Sequence, residues 1–286
     1  MEKKAPGEKL LIVCTTGMLG DVVENICGEY AEVKVIMGPG VDPHLYKPNP
    51  ADIRLLQNSD VIVHNGLHLE GKMGEIFEKL DGEKIVIRWS DGIPENQLLH
   101  ATEDENSHDP HIWFDSDLFM QGARYFTKRM GESDTVNAQH FKKNLELYLI
   151  KVNALEEKVS KMIDQIPPEK RVLITSHDAF SYFGRKYGFR VRGLQGISTV
   201  AEFGVKDKVE LVNYITKNQV PALFVESSVS SRSLESVIEA CHKKGHKIKI
   251  GGTLLSDTMD EKGKLGGTYL GMIEYNIQTI LEGINE

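Results

Sequence analysis

The sequence lacks any apolar run as long as the roughly 18 residues that a membrane-spanning helix needs. Hydrophobic residues make up 40% of its 286 positions and charged residues 27%. These fractions are typical of a globular protein that folds in water. The composition therefore predicts a chain without a transmembrane segment.

An excess of basic residues is also absent. Lysine and arginine together number 34, against 42 aspartates and glutamates, so the formal net charge is -8. A protein that binds nucleic acid needs a basic face to displace counterions from phosphates, so this charge argues against nucleic-acid partners. An acidic surface is compatible with the attraction of cations.

Cysteine is scarce, with only Cys14, Cys27 and Cys241 in the chain. An odd number of widely spaced cysteines forms neither a disulfide framework nor the closely paired ligands of a zinc knuckle. We interpret all three as buried, unreactive thiols. The first nine residues carry charge but lack the apolar core of a signal peptide, so either the protein is cytosolic or a leader is absent from this sequence.

Short runs rich in β-branched residues alternate with segments of helical pattern, and the series occurs twice. The first set of runs covers 11–15, 33–37, 61–64 and 84–88, and the second covers 171–175, 189–192, 222–226 and 247–250. The two sets are offset by roughly 160 residues, which indicates a duplicated architecture. The pattern predicts an α/β fold with two lobes, each a small parallel sheet flanked by helices.

One long amphipathic segment separates the two series. Apolar residues recur at steps of three and four along 133–166, and two prolines follow at 167 and 168. This spacing predicts a single long, rigid helix that ends before the prolines, because proline cannot continue the hydrogen-bonding pattern. We therefore expect an N-terminal lobe at 1–131, a bridging helix at 132–167 and a C-terminal lobe at 168–286.

An Asp-Pro-His tripeptide occurs twice, ending at His44 and at His111. Each copy follows a predicted strand, and ligands of open parallel sheets collect at the carboxyl ends of the strands. Proline stiffens the segment just before each imidazole, and a metal site requires such preorganised ligands. We predict that both histidines bind metal.

Two residues of the second series occupy comparable places. His177 follows the first strand of that series and Asp257 follows the last. Taken alone, His177 fits a general base or a helix cap, and Asp257 fits a turn. A cleft between the lobes would bring both together with His44 and His111, and three imidazoles with one carboxylate form a complete shell for Zn²⁺ or Mn²⁺.

Other polar residues near strand ends have simpler interpretations. His64 and His68 flank an Asn-Gly pair that favours a loop, so we expect structural or supporting roles for them. Glu226 ends a strand and either orients a ligating imidazole or bonds to the loop backbone.

Seven segments of the chain resemble the TroA-type receptors of ABC importers for manganese, zinc and iron. The resemblance covers nearly the whole chain, and its motifs follow one another in the family's order. They are Gly38-Pro-Gly-Val-Asp-Pro-His-Leu-Tyr, Asn65-Gly-Leu-His-Leu-Glu, Asp109-Pro-His-Ile-Trp-Phe-Asp, His177-Asp-Ala-Phe-Ser-Tyr-Phe, Leu194-Gln-Gly-Ile-Ser-Thr, Val225-Glu-Ser-Ser and Leu255-Ser-Asp.

This resemblance implies two lobes bridged by a rigid helix, with metal ligands at His44, His111, His177 and Asp257. It also implies a periplasmic or lipid-anchored receptor outside the cytoplasm, a partner permease with its ATPase, and no catalytic activity. We expect a monomer, because the receptor presents both lobes to the permease. Many manganese and iron receptors of this family have glutamate where this chain has His177, which favours zinc, or zinc together with manganese. Many zinc-dedicated members, however, carry a long His-rich loop before the second ligand, where this chain has only His100 and His108, so the resemblance leaves the metal open.

Two other functions are compatible with the residues. Three histidines and an aspartate also occur in zinc hydrolases, although the chain contains no HExxH motif, and Glu202 and Glu226 are the candidate acids or bases. A surface adhesin with a structural metal is the second alternative, since adhesion is sometimes ascribed to this family.

Overall fold

The computed structural model describes residues 9–101, 104–200 and 204–285. Its first half contains a four-stranded parallel sheet with the strand order β2-β1-β3-β4. The bounds are Leu10–Thr16 for β1, Ala31–Met37 for β2, Val61–His64 for β3 and Ile85–Arg88 for β4. Strands β1 and β3 are buried throughout or nearly so, as is usual for the centre of a parallel sheet.

The second half repeats this arrangement after a short antiparallel hairpin of β5 (His100–Ala101) and β6 (Asp104–His108). Strand β7 (Val172–His177) pairs in parallel with β8 (Arg190–Gln195), and β9 (Ala222–Glu226) pairs in parallel with β10 (Lys249–Leu254). Strand β7 also lies beside β9. The spatial order β8-β7-β9-β10 thus matches that of the first half, and the predicted duplication and α/β class are confirmed.

Helices flank both sets of strands. Within the described part of the chain they are α1 (Gly17–Cys27), α2 (Pro50–Asn58), α3 (Gly74–Leu80), α4 (Ser116–Ser133), α5 (Ala138–Ile163), α6 (Ser181–Tyr187), α7 (Val205–Lys217), α8 (Arg232–Lys243) and α9 (Tyr269–Asn285). Several begin at polar caps. The side chain of Asp115, for example, accepts hydrogen bonds from the second and third backbone N–H groups of α4, which a helix leaves unpaired at its start.

The long helix is shorter than its sequence pattern predicts. Helix α5 covers 26 residues, or about 39 Å, and begins five residues later than expected. The delay arises because the Asp134 side chain accepts hydrogen bonds from the backbone and side-chain N–H groups of Asn137 and so closes a turn. At its other end α5 stops at Ile163, before both prolines. The lobe boundaries at 131/132 and 167/168 stay a prediction.

One large apolar cluster joins the two halves. It includes Ile12 and Val63 from the first sheet and Phe224 and Leu254 from the second set of strands. Helix α5 contacts α1, α4 and α9, and the C-terminal helix α9 also contacts α1 of the first half. The strands of both halves therefore pack through one shared layer of helices.

Several sequence predictions can be compared with this fold. Cys14, Cys27 and Cys241 are free and buried, as predicted. No helix in the described ranges is both long enough and apolar enough to cross a bilayer. Residues 1–8, which contain most of the segment judged to lack a signal peptide, and Glu202 lie outside the described residues.

Candidate metal centre

The four predicted ligands meet in one buried cluster. One ligand atom from each side chain lies within 4.8 Å of the other three. His44 is in the loop after β2, His111 precedes a short 3-10 helix (Ile112–Phe114), His177 is the last residue of β7 and Asp257 follows β10. His177 thus belongs to its strand rather than to the loop behind it. All four side chains are buried.

The distances within the cluster suit a four-coordinate metal ion. The Nε2 atom of His111 lies 3.3 Å from that of His44 and 3.4 Å from that of His177. Carboxylate oxygens of Asp257 lie 3.4 Å from the Nε2 atom of His111, 3.3 Å from that of His177 and 3.8 Å from that of His44. Ligands about 2.0–2.1 Å from a tetrahedral Zn²⁺ are separated by about 3.4 Å.

The Asp257 carboxylate needs a cation at this place. Both of its oxygens are buried, and neither accepts a hydrogen bond within the described part of the chain. Burial alone would favour the protonated acid, but the positive charges of His177 and His111 hold the pKa of Asp257 well below its usual range. A buried, ionised carboxylate beside three imidazole nitrogens is well suited to bind a metal ion together with them.

His111 is held by the aspartate of its own tripeptide. One carboxylate oxygen of Asp109, Oδ1, lies 2.7 Å from the ring Nδ1 and accepts the backbone N–H of His111 at 2.9 Å. Burial disfavours the imidazolium, but the charges of Asp109 and Asp257 outweigh it and raise the pKa of His111 to about 9. This contact orients the ring so that Nε2 faces the cluster, as carboxylates do behind metal-binding histidines.

His177 has an equivalent carboxylate from a neighbouring strand. Glu226, the last residue of β9, accepts the backbone N–H of His177 at 2.9 Å, and its other oxygen forms an ion pair with the ring Nδ1 at 2.5 Å. Burial opposes protonation of His177, yet the charges of Glu226 and Asp257 raise its pKa well above the ordinary value. Glu226 therefore makes both interactions considered from the sequence: it accepts a backbone N–H, and its second oxygen contacts a histidine ring.

His44 differs from the other two histidines. The carboxylate of Asp42 accepts its backbone N–H at 2.9 Å, but no carboxylate in the described residues forms an ion pair with its ring Nδ1. Burial, with the charges of His111 and His177, therefore prevails over the attraction of Asp257 and lowers the pKa of His44 to about 4. His44 is a neutral imidazole at pH 7, which is the form that binds metal.

Two further histidines near a strand end do not join the cluster. His64 is the last residue of β3, and its ring stacks on Phe77 and lies 3.9 Å from the carboxylate of Glu70. Glu70 is buried and accepts hydrogen bonds from Thr15 and from the backbone of the Asn65 turn. His68 lies in that turn rather than in a helix, as the Asn-Gly pair predicts. Neither His64 nor Glu70 is among the four residues of the cluster, and a structural or a supporting role for His64 stays a prediction.

Sequence reasoning did not identify the role of Asp109. The signal was present, because an aspartate two residues before a histidine can reach both the backbone N–H and the ring Nδ1 of that histidine. The same spacing at Asp42 does not produce the ring contact, so the tripeptide alone does not determine which partner the carboxylate takes.

Comparisons with known proteins agree on one family. The model of the ZnuA family, described as zinc-uptake complex component A, periplasmic, matches residues 12–283. The chain is 42% identical to the manganese-binding lipoprotein MntA of Bacillus subtilis over 98% of its own length and 92% of that protein. It is 41% identical to the zinc-binding protein TroA of Treponema pallidum over 96% of its length and 89% of TroA.

Solved structures give the same result. The periplasmic zinc-binding protein TroA from Treponema pallidum superposes with a TM-score of 0.93, covering 97% of this chain and 99% of that one. Its fold is therefore nearly the same as the one described above. The family match over most of the chain, the identity of its relatives and this superposition show that the chain belongs to the ZnuA family of periplasmic metal-uptake components.

Proposed function

We propose that this protein captures one divalent transition metal ion outside the cytoplasm and delivers it to an ABC importer. The ion is bound by His44, His111, His177 and Asp257. The observation that carries the proposal is that one ligand atom from each of the four side chains lies within 4.8 Å of the other three, with several of the separations at 3.3–3.8 Å, close to the edge of a tetrahedron around one ion.

The ligand set suits both zinc and manganese. Imidazole nitrogens favour Zn²⁺, and affinity for divalent metals generally rises from Mn²⁺ to Zn²⁺ at such sites. Among the relatives, MntA is named for manganese and TroA for zinc. We infer that the site accepts both ions and binds Zn²⁺ more tightly, so that the ion carried in the cell depends on which metal is available.

Delivery requires a permease and its ATPase, the partners of a substrate-binding component. We propose that the protein acts as a monomer, since both halves of the chain supply ligands and both must face the permease. His44 and His111 come from the first half, and His177 and Asp257 from the second. Separation of the halves on docking would divide these ligands between two bodies and lower the affinity sharply.

The site does not favour hydrolysis. A catalytic zinc keeps one position open for water, whereas four protein ligands fill a tetrahedral shell. Glu226, one of the two candidate acids or bases, forms an ion pair with His177 and is buried. Adhesion has no specific structural observation in its favour. We propose a transport receptor without enzymatic activity.

Metal analysis tests this function directly. The protein is stripped with a chelator and offered equal concentrations of Zn²⁺ and Mn²⁺, and metal per chain is measured by mass spectrometry for wild type and His177→Ala. We expect one ion per chain in wild type, mostly zinc, and a loss of stoichiometric binding in the variant. Metal content that is unchanged by His177→Ala would reject the site. Hydrolytic turnover that disappears with the metal would support the enzyme instead.

A further inference from the structure

The two Asp-Pro-His segments use their aspartates differently. In the segment that ends at His111, a single oxygen of Asp109 contacts both the backbone and the ring of the histidine. In the segment that ends at His44, one oxygen of Asp42 accepts the backbone N–H, while the other accepts the hydroxyl of Thr199 at 2.7 Å. Asp42 therefore connects His44 to a residue distant in the sequence.

Thr199 belongs to the second half of the chain. It follows β8 and lies 157 positions beyond Asp42, so its hydroxyl links the loop after β2 to the opposite half. A second hydroxyl from that half reaches the same loop. The Oγ1 atom of Thr258 accepts the backbone N–H of Gly40 at 3.1 Å and lies 3.3 Å from the carbonyl oxygen of Gly38.

The segment that carries His111 is fastened to the second half by larger, buried groups. The indole N–H of Trp113 donates to the carbonyl of Ser256 at 2.9 Å, and the hydroxyl of Tyr269 donates to the carbonyl of Trp113 at 2.9 Å. Trp113 and Tyr269 also belong to the shared apolar cluster. His111 is thus fixed by the core, whereas the loop that carries His44 is held across the halves by hydroxyl groups.

We propose that Thr199 is a positioning residue for His44. Its hydroxyl acts through Asp42, which in turn holds the backbone of His44, and this chain of bonds keeps the fourth ligand on the metal. This inference rests on the proposed function, since it concerns how long the captured ion stays bound. The hydroxyl of Thr199 slows dissociation of the metal by keeping His44 in place.

The expected effect follows from the strength of such bonds. A hydrogen bond to an ionised carboxylate contributes more than a neutral one, and its loss at a partly buried site speeds dissociation about tenfold, equivalent to about 1.4 kcal/mol. Association is expected to change less, because it depends chiefly on encounter with the open site.

The test compares three variants of the whole protein loaded with Zn²⁺. Thr199→Val removes the hydroxyl at nearly constant volume, and Thr199→Ser restores it. Thr216→Val is the matched control, because the Thr216 hydroxyl bonds only within its own helix, to backbone carbonyls such as that of Val212. Dissociation is followed by stopped flow with an excess of a colorimetric zinc chelator, at chelator concentrations where the rate no longer changes.

We expect Thr199→Val to release Zn²⁺ about tenfold faster, with Thr199→Ser and Thr216→Val close to wild type. In a His44→Ala background, Thr199→Val should have no further effect, because the residue that it positions is gone. If Thr199 only stabilised the fold, Thr199→Val would still speed Zn²⁺ release in the His44→Ala background. Thr199→Ala serves as a second hydroxyl-free variant if Thr199→Val does not fold.

Each outcome separates this inference from the proposed function. If wild type binds no stoichiometric Zn²⁺, the proposed function itself fails. If wild type binds Zn²⁺ but Thr199→Val releases it within about twofold of Thr216→Val, the positioning role is overturned while the function stands. Faster release that Thr199→Ser does not correct, or that persists without His44, also overturns it.

Discussion

The segments 38–46 and 107–115 share the tripeptide Asp-Pro-His, yet they give their histidines different properties. His111 has a carboxylate at its ring and a pKa raised to about 9, whereas His44 has none there and a pKa lowered by burial to about 4. The two rings lie 3.3 Å apart at their Nε2 atoms. The carboxylate behind the His111 ring and the closer approach of Asp257 to His111 than to His44 together account for this difference in pKa.

The difference in pKa gives His111 and His44 different roles within one site. A charged pair such as His111 with Asp109 keeps a buried carboxylate compensated while no metal is bound, which a buried charge requires. His44 needs no such partner because it is already neutral, and it can bind metal without first losing a proton. His111 and His177 thus stabilise the empty site, and His44 completes the filled one.

Replacing His111 by alanine should weaken Zn²⁺ binding more than replacing His44, and this is the largest difference that we expect. His111→Ala leaves Asp109 buried without its ion-pair partner, and it also removes the ligand nearest to the other three. We expect its loss of Zn²⁺ affinity to exceed roughly 100-fold, the upper end for changes behind a ligand. His44→Ala leaves no unpaired charge and should lose less. Competition against a chelator of known affinity measures both.

A surface histidine provides the control for this pair. His140 is exposed and its ring packs against Tyr30 at a tilt, and it is not part of the cluster, so His140→Ala should bind Zn²⁺ like wild type. Equal losses for His44→Ala and His111→Ala would contradict the comparison, since they would mean that the contact behind the ring has no role.

Replacing Asp109, the aspartate behind His111, should likewise weaken Zn²⁺ binding more than replacing Asp42. Asp109→Asn removes the charge behind His111 and should weaken Zn²⁺ binding by roughly 10- to 100-fold. Asp42→Asn keeps an oxygen that can accept the backbone N–H of His44 and should cost less than about tenfold. Isothermal titration under identical conditions compares them. A larger loss for Asp42→Asn would reverse the assignment of roles.

The smallest of the three predicted effects concerns how the stability of the metal-free protein depends on pH. Histidines with a raised pKa and His44, with a lowered pKa, should change the stability in different pH ranges. The pKa of His111 is raised to about 9 in the folded protein and that of His177 is also raised well above the ordinary 6.5, so the contribution of both is complete below pH 6.5 and is lost as pH rises towards 9 and beyond. His44, at about 4, acts in the opposite direction, and stability falls as pH drops from 6.5 towards 4.

Thermal unfolding of the chelator-treated protein across this range measures both losses, which should amount to a few degrees each. In His44→Gln the loss on the acid side should shrink while the loss on the alkaline side stays. Zn²⁺-loaded protein should show a flatter profile up to pH 9, because the bound ion replaces the protons. An alkaline loss that is identical with and without Zn²⁺ would contradict its assignment to His111 and His177.

Much of the fold was predictable because it depends on local patterns. The β-branched runs and their spacing identified both sets of parallel strands, and the strand-end rule led to His44, His111, His177 and Asp257, which the structure brings together. The start of α5 was wrong by five residues. The apolar periodicity begins only at Phe141, and the side-chain hydrogen bonds of Asp134 to Asn137 close a turn before the helix.

The bonds between distant segments were not predictable. Asp42 and Asp109 are each followed by Pro-His, yet Asp42 also bonds to a threonine 157 positions away that only the folded chain brings near. The bond from Trp113 to Ser256 likewise joins residues 143 positions apart. Local sequence limits which groups can bond, but tertiary packing selects the partner.

The apolar cluster shared by both halves bears on whether either half of the chain can be stable alone. The duplicated strand order suggests two modules, yet helix α9 of the second half packs on α1 of the first, and the same cluster includes strands of both. Cutting the chain between the halves would expose this surface to water on each fragment. The repeat is thus one of topology, and although the second half also has a smaller core of its own, we expect the two halves to depend on each other for stability.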